Sequence, residues 1–399
     1  MKTMTCIGTT AMLVFIAASA DAAPSSRFAV SGATITQIAD LGGAQSMALD
    51  INDDGYIAGW SEIPTGERHA LYNIAGVLAF DLSHMYNLGR SEAHGINNSK
   101  HVVGSMTDAS GNMRPFRWYG GWVDILADDD PTAIDHPISS DAVAIADNGF
   151  VVGHRNFMYF PYGQPPVGPV SYATLWTNSW TFQGLMVGQS SLFNSFVHDV
   201  NSAGQTVGRE ESVPLQLAHR WNWTSAGVTS DVIPGAVSGI SHGDALGINA
   251  WGAVVGWDIA FYGPTFTVTK HAIFWNGASL TSTDLGVLPA GTMSVAEDVD
   301  DGSFVAGYGN RTVLKGRLQI PVTFESGFIY HPNFGLYELP KLPGAPLGNC
   351  RALALNERRS YDGVVQVVGY CESSPGVARA VRWDVTVASV SILPPKPFP

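Results

Sequence analysis

From residue 44 onward, apolar positions alternate in short runs that glycine, asparagine or proline cuts every few residues. A period of two marks strands, and such frequent breaks leave no room for helices. The stretch "GINAWGAVVGW" (247–257) shows the unit. A first strand carries Ala245, Gly247 and Asn249 on one face and Leu246 and Ile248 on the other; a turn follows, then a second strand. Near-copies are "DINDDGYIAGW" (50–60), "GINNSKHVVGS" (95–105), "AIADNGFVVGH" (144–154), "DVNSAGQTVGR" (199–209), "DVDDGSFVAGY" (298–308) and "ALNERRSYDGVVQVVGY" (354–370). Their closing glycines, Gly59, Gly104, Gly153, Gly208, Gly256, Gly307 and Gly369, are 45 to 62 residues apart. A period near 50 announces a repeat architecture. Asn52 with Gly55, Asn201 with Gly204 and Asn249 with Gly252 predict type I turns, in which the Asn side chain bonds forward and Gly accepts a positive φ.

The first strand's small face recurs as Ala48/Asp50/Asn52, Ala142/Ala144/Ala146 and Ala352/Ala354/Asn356, which predicts a crowded position beside an axis. A third run ends in an aromatic, giving the column Tyr72, Trp118, Trp176, Trp221, Trp275, Tyr330 and Trp383, and a weaker fourth run follows. Four short strands in each of seven units predict an all-β, seven-bladed β-propeller, with the aromatic column wedged between neighbouring blades. The repeats lie near 44–86, 87–128, 129–186, 187–236, 237–287, 288–341 and 342–393, within one domain spanning 24–399. Two segments compete to close the ring: "ITQIADLG" (35–42) and "VASVSIL" (387–393). A solenoid is the rival, but its coils are shorter than this period and lack a four-strand unit.

Residues 1–23 read as a secretory signal: a short positive start, the apolar stretch "IGTTAMLVFIAASA", and Ala20-Asp21-Ala22 as the cleavage pattern. Nothing later approaches the length of a membrane span, so the mature chain is expected to be exported. The net charge of −13, on a chain in which 14% of residues are charged, argues against nucleic acid and anionic membranes. A monomer is expected. After cleavage two cysteines remain, Cys350 and Cys371, flanking the seventh repeat's hairpin about equally far from its turn. In an oxidising compartment this spacing predicts a disulfide across the hairpin's open end.

On "HAIFWNG" and "DLGVLPAG" within 271–291, with "HALY" (69–72) as a degenerate copy, the chain resembles the HAF-repeat extracellular proteins. The match covers nearly all of the mature chain, although repeats three, six and seven lack the His. The resemblance implies secretion and repeat architecture; it supplies no catalytic motif to carry over.

Chemistry-bearing motifs are sparse, and neither a cofactor nor a metal is expected. Asp50-Ile51-Asn52-Asp53-Asp54-Gly55 opens like a calcium loop, but Ser61 stands where the final acid belongs, so turn chemistry is the better reading. There is no nucleophile elbow, zinc-type His pair or phosphate loop. His69 and His271 are expected to bond within their blades, and His94 and His198 to pack. The segments between second and third strands in repeats three and five are long and aromatic, with Phe157, Tyr159, Phe160 and Tyr162 in one and Trp257, Phe261, Tyr262 and Phe266 in the other. Equivalent segments of a propeller emerge on one face, so Tyr159, Tyr162, Trp257, Tyr262 and His154 form the candidate binding set for an extracellular ligand, carbohydrate or protein. The alternative is a carbohydrate-active lyase or hydrolase at the channel mouth, with His154, Arg155 and Tyr159 as its cluster. No catalytic residue is assigned.

Overall fold

Each unit folds as one four-stranded antiparallel sheet, and seven such sheets stand in a ring. The computed structural model describes residues 26–126, 137–159, 167–177, 182–184, 194–212, 215–224, 227–236, 242–262, 267–356 and 363–391. The chain is a seven-bladed β-propeller. Its described helix is a five-residue turn, Leu82–Tyr86. The inner strands that line the axis are Ser46–Ile51, Ser91–Ile96, Ser139–Ile145, Asn194–Val200, Asp244–Ile248, Ser294–Val299 and Cys350–Leu355, in blades 1 to 7. Each runs from the side bearing the second-to-third-strand hairpins (the hairpin side) to the side bearing the Asn turns (the turn side).

The closing strand comes from the N-terminus. Ser26–Gln37 pairs antiparallel with Val377–Ser391 and forms the outer edge of blade 7. It starts well before the predicted segment, and residues 387–391 of "VASVSIL" are the end of that blade's third strand. Cys350 and Cys371 are cross-strand partners and form the expected disulfide.

Strict alternation fails at one place in every inner strand. The register shifts after Ala48, Ala93, Ala142, Val197, Ala245, Ala296 and Ala352, so each blade carries a bulge at the same position. The bulge explains the repeated glycines. A Cβ on Gly59 would lie 2.1 Å from the Met47 carbonyl oxygen, and one on Gly256 2.0 Å from that of Asp244. Only glycine lets the second strand pass that close.

The small face has a second cause. In blades 1, 4 and 6 the residue after the bulge is an aspartate that straps two blades together. Asp50 accepts the N–H of Ile96, Asp199 that of Ile248 and Asp298 that of Leu355, at 2.7 to 2.9 Å. The residues preceding these donors, in blades 2, 5 and 7, are Gly95, Gly247 and Ala354. The turn asparagines stitch the boundaries of blades 1 and 2, 2 and 3, 4 and 5, and 5 and 6. Asn52, Asn97, Asn201 and Asn249 each accept the N–H four residues on and donate their amide to a carbonyl of the next blade. Trp176, Trp221, Trp275 and Trp383 are fully buried, and the Trp275 and Trp383 indoles donate to Pro234 and Pro340 of the preceding blade. The aromatic column is the wedge between blades.

Candidate functional site

The hairpin-side mouth carries ring–cation pairs, and two of them come from one repeat position. In repeats 1 and 5 the closing glycine is followed by Trp60 or Trp257, and the signature His is preceded by Arg68 or Lys270. Strand pairing sets Trp60 opposite Ala70 and Trp257 opposite Ala272, so each cation lies diagonally across from its indole on the same face. The Arg68 guanidinium stands 4.0 Å from the Trp60 ring centre and the Lys270 ammonium 3.6 Å from that of Trp257. His69 and His271 bond Asp81 and Asp284 of the outer strand at 2.8 and 2.9 Å, the expected in-blade role.

The two copies then diverge. Trp60 is 3% exposed, and Arg68 donates to Glu92 of blade 2 at 3.0 Å. Trp257 is half-buried and Lys270 is exposed. The position of Glu92, opposite the residue that follows the closing glycine, is Val295 in blade 6. Among the described residues no carboxylate lies within ion-pair distance of Lys270. Burial against the ring lowers the pKa of its ammonium, with Asp244 opposing.

Several charged groups converge beside Trp257. Its cross-strand partner Asp244 accepts Arg209 Nη1 at 2.6 Å and faces His198 Nε2 at 3.2 Å. Arg351 grips Glu325 with two bonds of 2.6 and 2.8 Å and covers Tyr308 at 4.2 Å. Glu297 sits on the blade 6 bulge near these groups. Burial lifts its carboxyl to about 7, Arg351 opposes, and Asp244 and Asp298 add to the rise. Glu297 has no hydrogen-bond partner among the described residues.

His154 is occupied. Its Nδ1 bonds Asp141 at 3.1 Å and its Nε2 accepts the Val197 N–H of blade 4 at 3.1 Å, so neither nitrogen is free to act as a base. Arg155, adjacent along the strand, points to the opposite face and is buried beside Phe157. The expected pairing of His154 with Arg155 therefore does not assemble. His94 and His198 also do more than pack: they bond Ala142 O and Asp244 of the following blades. Tyr159 and Tyr262 end the second strands of blades 3 and 5, both on the hairpin side, and their side chains lie outside the described residues. Phe261 is placed likewise; Phe160, Tyr162 and Phe266 lie outside the described residues altogether. Much of what reads as loop in these repeats is strand extension. The described second strand that runs furthest past its closing glycine is instead that of blade 6, Val305–Lys315, which pairs with Ile320–His331.

The turn-side mouth is chemically different. A cavity of about 160 Å³ there is lined by Asp50, Asp53, Asp147, Asp199 and Asp298 with turn asparagines, and no Lys, Arg or His lines it. Burial raises Asp50 to about 7 and Asp199 well above its ordinary range, with Asp298 adding in both. Asp50, Asp147, Asp199 and Asp298 accept backbone N–H groups and Asp53 accepts the Asn98 amide, and no group suited to a metal ion occurs among the described residues. Asp50 itself accepts the N–H of Ile51 and straps blade 1 to blade 2 through the N–H of Ile96.

Trp257 and His154 stand out in the sequence, whereas Lys270, Asp141 and Glu297 do not. A signal for Lys270 was present, since Arg68-His69 and Lys270-His271 repeat after "GW".

No family model matches the chain, and no curated protein matches it. Among solved structures, it is similar to the β-propeller domain of the Trilobed protease from Pyrococcus furiosus. The TM-score is 0.52 and the identity 8%, over 88% of this chain and 96% of that one. It is also similar to oligogalacturonate lyase from Vibrio parahaemolyticus, with a TM-score of 0.52 and 10% identity over 90% and 98% of the two chains. At these identities the likeness shows the fold alone.

Proposed function

We propose that the chain is a secreted, HAF-repeat-like binding module whose ligand face is the hairpin-side mouth, centred on Trp257. One observation carries this reading: Lys270 stands over a half-exposed indole with no carboxylate within ion-pair distance among the described residues, where the sister repeat closes the same pair with Glu92. A ring face with a donor-rich cation at its edge suits stacking against a sugar ring or a planar protein group. The disulfide and the absence of a membrane-crossing helix among the described residues accord with export. The test is a glycan-array and ligand-capture screen of the mature chain, repeated with Trp257→Ala. Binding that the variant loses while its melting temperature holds supports the reading; binding indifferent to Trp257 ends it.

A second reading has its own observation. Glu297, with a pKa near neutrality and close to Lys270 and Arg351, has the properties of an acid–base group, which would make the mouth a catalytic site. Of the two distant structural neighbours named above, one is the propeller domain of a protease and the other a lyase. Product formed from an oligosaccharide by the native chain and lost in Glu297→Gln would establish it over simple binding.

A further inference from the structure

Between blades 3 and 4, on the hairpin side, lies a cavity of about 170 Å³ lined by Ser139, Ser140, Asp141, His154, Asn156, Ser171 and Phe196, with Met113 at its edge. Strand pairing explains the gathering. Ser139, Asn156 and Ser171 are successive cross-strand partners, as are Asp141, His154 and Ala173, so one face of blade 3 presents all the polar groups except Ser140. Most of them already have partners. Asn156 Nδ2 donates to Ser139 Oγ at 3.0 Å, and His154 is held between Asp141 and the Val197 N–H. Ser171 is the exception. It is 6% exposed, its backbone N–H is bonded to Asn194, and its hydroxyl has no hydrogen-bond partner among the described residues. A buried hydroxyl left unbonded in a polar cavity loses free energy unless something enters to bond it.

The chemistry of the walls limits what enters. Burial opposes ionisation of Asp141, but the bond and charge of His154, with His94 beyond, hold its carboxyl below the ordinary range, so it is an anionic acceptor near neutral pH. No Lys or Arg lines the cavity, which excludes an anionic ligand. Phe196 supplies one apolar wall, with His154 edge-on to it. The volume is below the roughly 300–1,000 Å³ typical of sites for drug-sized ligands.

We propose that this cavity binds a neutral monosaccharide-sized polyol, one hydroxyl donating to Asp141 and a neighbouring one bonding Ser171, with the ligand's C–H face against Phe196. The site is separate from the Trp257 mouth and does not depend on it.

The test is titration of the mature chain with glucose, galactose and mannose by calorimetry and protein-observed NMR. At least one hexose should bind. Ser171→Ala should weaken it roughly tenfold, as expected for a lost hydrogen bond, and leave the melting temperature unchanged or raised. Ser171→Leu should abolish binding by filling the space, and Trp257→Ala should leave it intact. Absence of binding by all three sugars, or affinity indifferent to Ser171→Ala, overturns the proposal. So does a fall in melting temperature in Ser171→Ala without any ligand effect, the mark of a water-filled structural cavity. If Asp141→Asn fails to fold, the Ser171 variants still decide the question.

Discussion

Repeats 1 and 5 carry the same Trp, a cation at the same neighbouring position and the same His–Asp pair, yet only one copy is finished. At the boundary of blades 1 and 2, Glu92 closes over Arg68 and the indole disappears into the interior. At the boundary of blades 5 and 6, Val295 replaces the acid and the indole stays half-open. A repeat protein offers this kind of internal control: the closed copy shows what the position does for the fold, and the open copy what remains when that duty is lifted.

The sharpest way to break the comparison is to truncate both rings. Trp60→Ala should cost about 3–5 kcal/mol, the range for removing a buried aromatic. Trp257→Ala should cost under about 1 kcal/mol and instead lose ligand. Chemical denaturation of the two variants measures the gap, and equal losses would show that both rings are core.

Exchanging the acid comes next. Glu92→Val should cost about 1 kcal/mol by leaving Arg68 without its half-exposed partner. Val295→Glu should reduce ligand binding at pH 7 by pairing with Lys270, and binding should recover only at about pH 3, below the ordinary carboxyl value that the pairing itself lowers. Binding unchanged at both pH values would detach Lys270 from the ligand.

The acids of the two boundaries should also respond to pH in opposite senses. Burial opposes ionisation of Glu92, but its bonds to His94 and Arg68 hold its pKa below the ordinary value. Its contribution to stability is therefore present above that value and is lost as pH falls through the folded one. Glu297 is raised to about 7, so its contribution is present at low pH and is lost as pH climbs toward and past 7. Glu297→Gln should leave stability unchanged near pH 4 and raise it by up to about 1 kcal/mol at pH 8.

The smallest effect belongs to the turn-side stitches. Asp300 stands where other blades carry a stitching Asn, its carboxyl raised by burial to about 7. Asp300→Asn restores an amide donor and should add about 0.5–1 kcal/mol at pH 8 and less at pH 5. A loss at pH 8 would show that the carboxylate has a duty of its own.

The blades were legible in the sequence because a period of two, a turn asparagine and a closing glycine recur at fixed offsets, and the Trp column reports the wedge directly. The bulge was not, since one extra residue leaves the apolar pattern intact while turning Leu49, His94 and Glu297 off the alternating faces. Disulfide pairing followed from equal distances to a turn. The site was only half legible. Trp257 stands out as an aromatic in a long segment, but what makes it available is the missing acid at Val295, thirty-eight residues further on in the next blade. Such an absence shows itself only once register aligns Val295 with Glu92. Ser171 gave no sign at all, because an unbonded hydroxyl is a fact of packing and not of residue type.

Ring closure by Ser26–Gln37 against Val377–Ser391 also sets a timetable. Among the described residues, the first to leave the ribosome must wait for nearly the last before they find their partner. Until then six blades can assemble while the seventh lacks its outer strand, leaving an open edge of the kind that invites wrong partners. The Cys350–Cys371 bond lies wholly within the late-arriving blade, so it can lock that hairpin early but cannot draw the N-terminal strand home. The slow step of folding should therefore be the meeting of the chain's two ends. A chain shortened ahead of Ala33 would be expected to hover between a closed ring and an open one.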